Sequence, residues 1–289
     1  MPEPGGRVRD WLAMAEARLA PLIGREEARR DARLLLGQAS GLTQAALLAA
    51  DREPLSPEAR ARADAFLERR AACEPTAQIL GAWPFWGRSF AVSSAVLTPR
   101  PDTETLVEAA LGAPFTRVLD LGTGSGILAV TLLAERPGAT GLATDLSQAA
   151  RDVAAGNASA HGVAERLELR RGDWWQAVPE EARFDLIVSN PPYVSEADYE
   201  GLAPEIIRFE PRAALTPGGD GLAACRAILA RAARHLAPGG RLALEIGADQ
   251  GAAVAGLFSA AGLEDVAVLP DLNGHDRVVL GRLATDRER

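Results

Sequence analysis

The chain has 289 residues, long enough for one large domain with a small second one, and 47% of them are hydrophobic against 24% charged. This balance is typical of globular proteins and excludes the disordered and fibrous classes. The formal net charge is −8, and the sequence contains arginine but no lysine. An acidic total argues against a long phosphate backbone as the partner, although it leaves room for a local basic patch.

No stretch of the sequence approaches the ~20 consecutive apolar residues that a membrane helix requires. Charged residues interrupt the N-terminal segment, where a signal peptide would need an apolar run. We therefore expect a cytoplasmic protein with no membrane contact. Cys73 and Cys225 lie far apart and the histidines are scattered singly, so the spacing predicts neither a metal site nor a disulfide framework.

Residues 1–75 have the pattern of a small helical domain. The runs "VRDWLAMAEARLAPLI" and "REEARRDARLLLGQAS" place apolar residues at helical spacing, and Ser56 with Pro57 is a typical start for a further helix. In residues 76–99, Gly, Pro and aromatic residues interrupt short alternating runs. This second pattern favours a β-hairpin linker.

Residues 100–289 alternate between strand-like and helix-like runs. The strand-like runs include "TRVLDLG", "ATGLATD", "FDLIVSN" and "GRLALEIG", with amphipathic helical stretches between most of them. Such alternation is typical of an α/β domain with a mostly parallel, Rossmann-like doubly wound sheet. We predict that this segment is the catalytic domain.

The first motif with chemical content is "DLGTGSG", a glycine-rich turn between a strand and a helix. Its glycines allow a tight turn and a close backbone approach to a ligand, and the following helix directs free N–H groups toward it. A dinucleotide fingerprint needs GxGxxG, but Ile127 stands where the last glycine would be. The spacing therefore favours S-adenosylmethionine (SAM) over NAD, with Gly122, Thr123, Gly124, Ser125 and Gly126 as the contacts.

Three further candidate residues lie at the ends of the next predicted strands. Asp145 ends one strand, where a carboxylate can accept hydrogen bonds from both ribose hydroxyls. Asp173 and Trp174 end another, where they offer an acceptor for the adenine amino group and a ring to pack on the base. The alternatives are structural, since an Asp at a strand end can be a helix cap and Trp174 or Trp175 can belong to the core.

The second motif is "SNPPY", at the end of the strand "FDLIV". Pro191 pushes Asn190 into an extended conformation, and Pro192 fixes the next turn. The Asn190 side-chain oxygen and the Pro191 carbonyl can then accept from both hydrogens of a planar NH2 group, orient its nitrogen and stabilise the charge that develops there. Tyr193 adds a π face for the substrate. Taken alone, Asn-Pro-Pro is also an ordinary loop sequence.

Together, "DLGTGSG", "ATD", "GDWW", "SNPPY", "RFEPRAAL" and "GHDRVVLGR" resemble the HemK/PrmC family of class I SAM-dependent methyltransferases. The resemblance implies methyl transfer to the side-chain nitrogen (N5) of the glutamine in the Gly-Gly-Gln motif of class 1 peptide chain release factors, with S-adenosylhomocysteine as product. It implies a substrate-binding role for residues 1–75. It also implies that Asn190, Pro191, Pro192 and Tyr193 hold the glutamine amide, with Asn190 contacting the cofactor as well.

The resemblance leaves some features open. It does not define roles for Arg100, Glu104 and Glu210, for which salt bridges are an alternative to substrate contact. Thr98 departs from the family, which has an aliphatic residue there. The "NPPY" motif also occurs in adenine-N6 methyltransferases of nucleic acids, and a binding protein without turnover is a further alternative. We expect a monomer that binds no nucleic acid directly.

Overall fold

The computed structural model describes residues 6–285. Its helices are α1 (Val8–Ile23), α2 (Arg25–Ser40), α3 (Gln44–Ala49), α4 (Pro57–Ala71), α5 (Thr76–Leu80), α6 (Glu104–Leu111), α7 (Ile127–Glu135), α8 (Gln148–Ala160), α9 (Glu196–Tyr199), α10 (Pro204–Phe209), α11 (Arg212–Leu215), α12 (Ala223–His235) and α13 (Gly251–Ala260). Its strands are β1 (Ala82–Phe85), β2 (Arg88–Ala91), β3 (Arg117–Leu121), β4 (Thr140–Asp145), β5 (Leu167–Arg171), β6 (Phe184–Ser189), β7 (Leu236–Glu245), β8 (Leu263–Pro270) and β9 (Asp276–Leu283). Short 3₁₀ helices cover Pro101–Thr103, Ala164–Arg166 and Trp174–Ala177.

The chain forms two compact units. The helical unit contains the residues through Gly81 together with α10, and the α/β unit contains Ala82–Ala203 and the residues from Glu210 onward. The functional assignment of residues 1–75, 76–99 and 100–289 stays a prediction. Across residues 6–285, every helix is too short or too polar to traverse a bilayer.

The helical unit packs around apolar side chains of its first four helices, among them Trp11, Leu35 and Leu67. Its helix α4 begins as the sequence predicts, with the Ser56 hydroxyl accepting from the Ala59 N–H at 3.1 Å. The apolar stripes of these helices face one another because their spacing keeps Leu and Ala on a single side of each helix.

A buried ion pair holds α10 in the helical unit. Arg70 Nε donates to Asp31 Oδ2 at 2.8 Å, and Arg70 Nη1 donates to Glu205 Oε2 at 2.7 Å. The Thr76 hydroxyl donates to the same Asp31 oxygen at 2.8 Å. Because the side chains of Arg70 and Asp31 are both buried, removing one partner would leave an uncompensated charge in the interior.

The α/β unit is built on a seven-stranded sheet with the order β5-β4-β3-β6-β7-β9-β8. The strands from β5 to β7 are parallel, and β9 runs antiparallel to both of its neighbours. One apolar cluster contains Leu132 of α7, and the other contains Ile228 of α12 and Phe258 of α13. Because they are covered on both faces, the inner strands are mostly apolar, as in "VLDL" and "DLIV", each of which contains a single aspartate.

The strand order places a topological switch point between β3 and β6. From β3 the chain proceeds to β4 and β5 on one side, and from β6 it proceeds to β7 on the other. The loops after β3 and β6 therefore diverge and leave a crevice at the carboxyl ends of these strands. Gly122–Gly126 and Asn190 follow these two strands.

A two-stranded hairpin, β1 with β2, opens the α/β unit. Its turn residues Trp86 and Gly87 both have positive φ, +50° and +67°, as expected for a tight hairpin turn with the right-handed twist of its strands. The rings of Phe85 and Phe90 meet edge to face with centroids 6.1 Å apart. Glu104 fixes the turn by accepting from the Trp86 N–H at 2.8 Å.

Candidate active site

A cavity of about 770 Å³ lies in the α/β unit, at the carboxyl ends of the strands. Its lining includes most of the residues predicted from the motifs: Gly122, Thr123, Gly124, Ser125, Asp145, Asp173, Trp174, Asn190 and Pro192. Three predicted residues, Gly126, Pro191 and Tyr193, are not among the lining residues. The fold thus brings both motifs to one site, although they lie far apart in the sequence.

The glycine loop has the backbone conformation that its sequence requires. Gly122, Gly124 and Gly126 have φ values of +72°, +56° and +83°, which side chains with a Cβ rarely adopt. A Cβ on Gly126 would also lie 3.1 Å from Ala154 Cβ, so this glycine allows α7 to pack closely on α8. Gly126 therefore lies at the contact between α7 and α8 and is not among the residues that line the cavity.

Asp120, which the motif analysis missed, anchors the loop from below. Its Oδ2 accepts from the Thr123 hydroxyl at 2.6 Å and from the Ala129 N–H at 3.2 Å. Burial raises the pKa of Asp120 to about 7. The available signal was a carboxylate inside the otherwise apolar strand "VLDLG", since such a group needs partners in the folded protein.

Asn157 of α8 supports the same loop from the side. Its Nδ2 donates to the Ser125 carbonyl at 2.8 Å and to the Ala91 carbonyl at 3.0 Å. Its Oδ1 accepts from the Ala91 N–H at 2.7 Å. This buried amide therefore joins the glycine loop to the hairpin strand β2, a contact between segments distant in sequence that no local pattern could reveal.

Asp145 contacts the glycine loop and also lines the cavity. Its Oδ2 accepts from the Gly124 N–H at 2.9 Å, and its Oδ1 accepts from the Ser147 N–H at 2.8 Å. The N-cap of α8 is Ser147, whose hydroxyl accepts from the Ala150 N–H at 3.2 Å, so Asp145 is not the helix cap. A carboxylate has about four lone-pair sites, so acceptor capacity remains for a diol.

The two adjacent tryptophans have different surroundings. Trp175 is buried and stacks on the ring of His235, with centroids 4.8 Å apart. Trp174 lines the cavity, and its ring lies 3.6 Å from the place where Gly122 would carry a Cβ. Trp174 also has φ +45°, a strained conformation for a bulky residue and one that concentrates at ligand sites. Trp174 is thus the ring available to a ligand, next to the exposed Asp173.

The Asn-Pro-Pro-Tyr corner begins where β6 ends. The Ser189 hydroxyl donates to the Leu121 carbonyl at 2.6 Å, which ties the ends of β6 and β3 together. Asn190 is half-buried, and its Nδ2 donates to the Thr103 hydroxyl at 3.2 Å. Pro191 is buried, while the Tyr193 hydroxyl donates to Glu245 Oε1 at 3.3 Å. The Tyr193 hydroxyl is thus bound within the protein.

A second glycine-rich segment, "TPGGDG", supports this corner from behind. Gly221 has φ +78°, and a Cβ on it would collide with the Tyr193 carbonyl oxygen. Gln250 Nε2 donates to that same oxygen at 2.9 Å. The sequence signal was present as a cluster of glycines, but nothing in the spacing connects it to Tyr193.

The structure gives contacts to the residues left open by the sequence. Arg100 Nη2 donates to both carboxylate oxygens of Glu210, at 3.0 and 2.9 Å, and Arg100 also lines the cavity. Thr98 lines the cavity too, and its buried hydroxyl has no hydrogen-bond partner within the described part of the chain. Glu104 serves the hairpin turn. Among residues 6–285, no cluster of three His, Cys, Asp or Glu side chains is placed to hold a metal ion.

Two family models match the chain: the PrmC N-terminal domain over residues 10–81 and the methyltransferase small domain over residues 100–224. A protein of Cereibacter sphaeroides named release factor glutamine methyltransferase is 59% identical over 277 residues, which cover 96% of this chain and 99% of that protein. The chain belongs to the release factor glutamine methyltransferase family. A relative of the same name from Rhodospirillum rubrum is 46% identical over 90% of this chain and 81% of that protein.

Solved methyltransferase structures share the fold of this family member. A methyltransferase from Pyrococcus furiosus matches with a TM-score of 0.52 at 16% identity. The match covers 76% of the chain described here and 98% of the Pyrococcus chain. The hMettl16 catalytic domain, solved with MAT2A 3′UTR hairpin 6, has a TM-score of 0.56 at 16% identity over 76% of this chain and 81% of that chain. The predicted fold, family and enzyme class, a SAM-dependent methyltransferase, are confirmed.

Buried charged groups surround the Asn-Pro-Pro-Tyr segment of the enzyme. Burial raises the pKa of the Glu245 carboxyl to about 7, while the Thr103 hydroxyl, the Arg277 guanidinium and the Tyr193 hydroxyl lower it in part. Burial, and next the Glu245 charge, raise the pKa of Tyr193, which keeps its phenol protonated. Arg277 is fixed by Asp271 Oδ2 at 3.2 Å and by the Ile246 carbonyl at 3.1 Å. The carboxylate in "LALEIG" was a signal that sequence reasoning missed.

We expect Gly221→Ala to lower kcat by roughly 10-fold or more while SAM affinity changes little. The new Cβ must displace the Tyr193 carbonyl, and small displacements of positioning groups can cost up to ~10²-fold in rate. Steady-state kinetics and calorimetric SAM titration measure the two effects. Gly256→Ala is the matched control, since Gly256 is exposed on α13 with open space around its Cβ position. Equal rates for both variants would contradict the role of Gly221 in leaving space for the Tyr193 carbonyl.

We expect Glu245→Gln to gain stability relative to the wild type as the pH rises. The folded pKa, about 7, lies above the unfolded value of 4.5, so this group's contribution is complete below pH 4.5 and is lost as the pH rises through 7. The difference in unfolding free energy should move toward the variant by on the order of 1–3 kcal/mol between pH 5 and 8. Urea unfolding at both pH values measures it. Glu181→Gln makes the same substitution at an exposed position and is the control for the exchange itself. A constant difference for Glu245→Gln would refute the assignment.

Proposed function

We propose that the protein transfers the methyl group of SAM to the side-chain amide nitrogen (N5) of the glutamine in the Gly-Gly-Gln motif of class 1 peptide chain release factors. The observation that carries the proposal is Asn190. Its amide lines the same cavity as the glycine loop, with Nδ2 bound to Thr103 and Oδ1 left as an acceptor. The names of the related proteins support the choice of release factors as substrate.

The residues of the cavity fit SAM. A volume of about 770 Å³ is in the range of small-molecule sites and leaves space for a substrate side chain. The Gly122–Gly126 loop allows close approach to the methionine part, and the remaining lone pairs of Asp145 suit the ribose hydroxyls. Asp173 and Trp174 offer the acceptor and the ring for adenine. When bound, SAM supplies a methyl group already activated by a positively charged sulfur.

Asn190 Oδ1 and the Pro191 carbonyl hold the two N–H groups of the glutamine amide. An amide nitrogen is a weak nucleophile because its lone pair is delocalised. Two fixed acceptors orient that lone pair and stabilise the positive charge that develops on nitrogen as the N–C bond forms and the S–C bond breaks. One N–H proton then leaves to solvent, which gives the neutral N-methyl amide and S-adenosylhomocysteine.

We assign to the helical unit the role of binding the body of the release factor. Residues 10–81 match the N-terminal domain model of the family, which supports a shared role for this segment. The two glycines of the substrate motif permit close approach of its backbone to the cavity. We further propose that the enzyme acts as a monomer in the cytoplasm and that it does not bind nucleic acid directly.

A transfer assay tests the proposal. The purified chain is incubated with methyl-labelled SAM and with release factors of its own organism, beside factors carrying Gln→Ala in the Gly-Gly-Gln motif, and with DNA and tRNA. We expect label on the wild-type factor alone, with a mass gain of one methylene on that glutamine. Label on nucleic acid instead would transfer the assignment to an exocyclic-amine methyltransferase, which shares the need for an NH2 clamp.

A further inference from the structure

The Asn190 side chain has two orientations of nearly equal shape, and only one of them suits an NH2 substrate. With Oδ1 toward the substrate, it accepts a hydrogen bond; with Nδ2 there, two donors face each other. The protein must therefore select one orientation. A carboxamide is selected by its partners, since its oxygen and nitrogen differ little in size.

Thr103 is the partner that makes the selection. It is fully buried and its Oγ1 accepts from Asn190 Nδ2 at 3.2 Å. A hydroxyl has a single proton. When it donates that proton to one neighbour, it can act only as an acceptor toward a second neighbour. The group that receives this proton decides which way the Asn190 amide points.

Glu245 is the acceptor available to Thr103. It ends β7, its side chain is buried, and the Thr103 hydroxyl lies near enough to its carboxyl to lower its pKa. Its Oε1 accepts from the Tyr193 hydroxyl at 3.3 Å, and its buried Oε2 accepts no hydrogen bond of good geometry within residues 6–285, so it has lone pairs free for a further donor. One carboxylate thus faces the hydroxyls of both Thr103 and Tyr193.

We propose that Thr103 and Glu245 are positioning residues for methyl transfer: Thr103 donates its proton to Glu245 and so holds the Asn190 amide with its oxygen toward the substrate nitrogen. This inference rests on the proposed function, because it assigns a task to the clamp. Glu245 also fixes the Tyr193 hydroxyl. The orientation of Asn190 and the position of Tyr193 therefore both depend on one buried carboxylate.

Ionisation of Glu245 controls this arrangement. The neutral carboxyl can donate to the Thr103 oxygen, which frees the Thr103 proton to point at Asn190 and favours the wrong amide orientation. The charged and titratable groups around Glu245 are Tyr193 after β6, Arg277 on β9 and Asp102 beside Thr103. Arg277 contacts Asp102 at 3.6 Å as well as Asp271 at 3.2 Å. Transfer is therefore expected to slow as the pH falls below neutrality.

Three threonine variants test the assignment. Thr103→Val removes the hydroxyl at nearly constant shape, Thr103→Ser keeps it, and Thr131→Val makes the same change at a buried hydroxyl without a partner in the described residues. We expect Thr103→Val to lower kcat by about 10- to 100-fold, with KM and SAM affinity within about threefold, and the other two variants to stay near wild type. Calorimetry and thermal unfolding confirm that each variant is folded and binds SAM.

Equal kcat for Thr103→Val and Thr131→Val, or failure of Thr103→Ser to restore the rate, would overturn the role of Thr103. If Thr103→Val does not fold, Thr103→Ser and the pH profile below decide the matter. The comparison is made on whichever acceptor the wild type labels. A wild type that labels nucleic acid refutes the proposed substrate, while the ratio between variants still tests the clamp, since both acceptors are NH2 groups.

The pH profile tests Glu245. We expect wild-type kcat to fall below a midpoint near 7, and Glu245→Gln, which cannot titrate, to have a flat profile between pH 6 and 8. The flat profile is a readout that a merely structural role would not produce. An acid limb that persists unchanged in Glu245→Gln would overturn the role of the carboxylate.

Discussion

Replacing Asn190 by alanine is expected to lower kcat by about 10³-fold, the upper range for loss of one group that stabilises developing charge. The variant keeps the Pro191 carbonyl but loses the side-chain acceptor, so the substrate nitrogen is neither oriented nor stabilised. SAM affinity should weaken only moderately, because the glycine loop and Asp145 are untouched. Single-turnover kinetics with saturating SAM isolates the chemical step.

The control for this variant is Asn273→Ala, at an exposed position in the turn before β9 and outside the cavity lining. It should retain the wild-type rate. Turnover retained by Asn190→Ala would refute the clamp as the source of catalysis. A loss of SAM binding as large as the loss in rate would instead place Asn190 with the cofactor contacts.

Replacing Asp145 by alanine is expected to raise the Kd for SAM by about 100-fold. A hydrogen bond to a charged group contributes ~1.5–3 kcal/mol, and this carboxylate has capacity for the ribose hydroxyls beyond its bonds to the Gly124 and Ser147 N–H groups. Loss of the bond to Gly124 also loosens the glycine loop. Isothermal calorimetry gives the affinity directly.

At saturating SAM, kcat of Asp145→Ala should stay within about threefold of wild type, since the amide clamp is intact. Asp152→Ala is the matched control, because Asp152 is exposed on α8 and, among residues 6–285, accepts only from Gln148, one turn earlier in the same helix. A change in Kd below about threefold for Asp145→Ala would contradict its role in binding the ribose.

The sequence predicts the sheet and the main motifs because both are local. Strands buried on two faces are mostly apolar, and the glycines, Asp145 and Asn190 lie at or just after their carboxyl ends. The parallel topology then brings these turns to one edge. This is why nine of the residues that line the cavity could be predicted without coordinates. The different surroundings of Trp174 and Trp175 could not be predicted, because the two residues are adjacent and identical in type.

The supporting residues could not be predicted because their partners lie far away in the chain. Thr103 bonds Asn190 across 87 positions, and Tyr193 bonds Glu245 across 52. Gly221 is needed only because the Tyr193 carbonyl passes beside it. A sequence pattern states which residue types are present, while these contacts depend on the packing of separate elements.

The insertion of α10 into the helical unit has a consequence for biosynthesis. Glu205, one of the two carboxylates that bond the buried Arg70 directly, is translated long after the first five helices have left the ribosome. Until then Arg70 in the nascent helical unit has only Asp31 of these two carboxylates as a partner. The ion pair is complete only when α10, which follows β6 in the sequence, has joined the helical unit. The N-terminal unit is therefore complete only after a segment from much later in the chain has been synthesised.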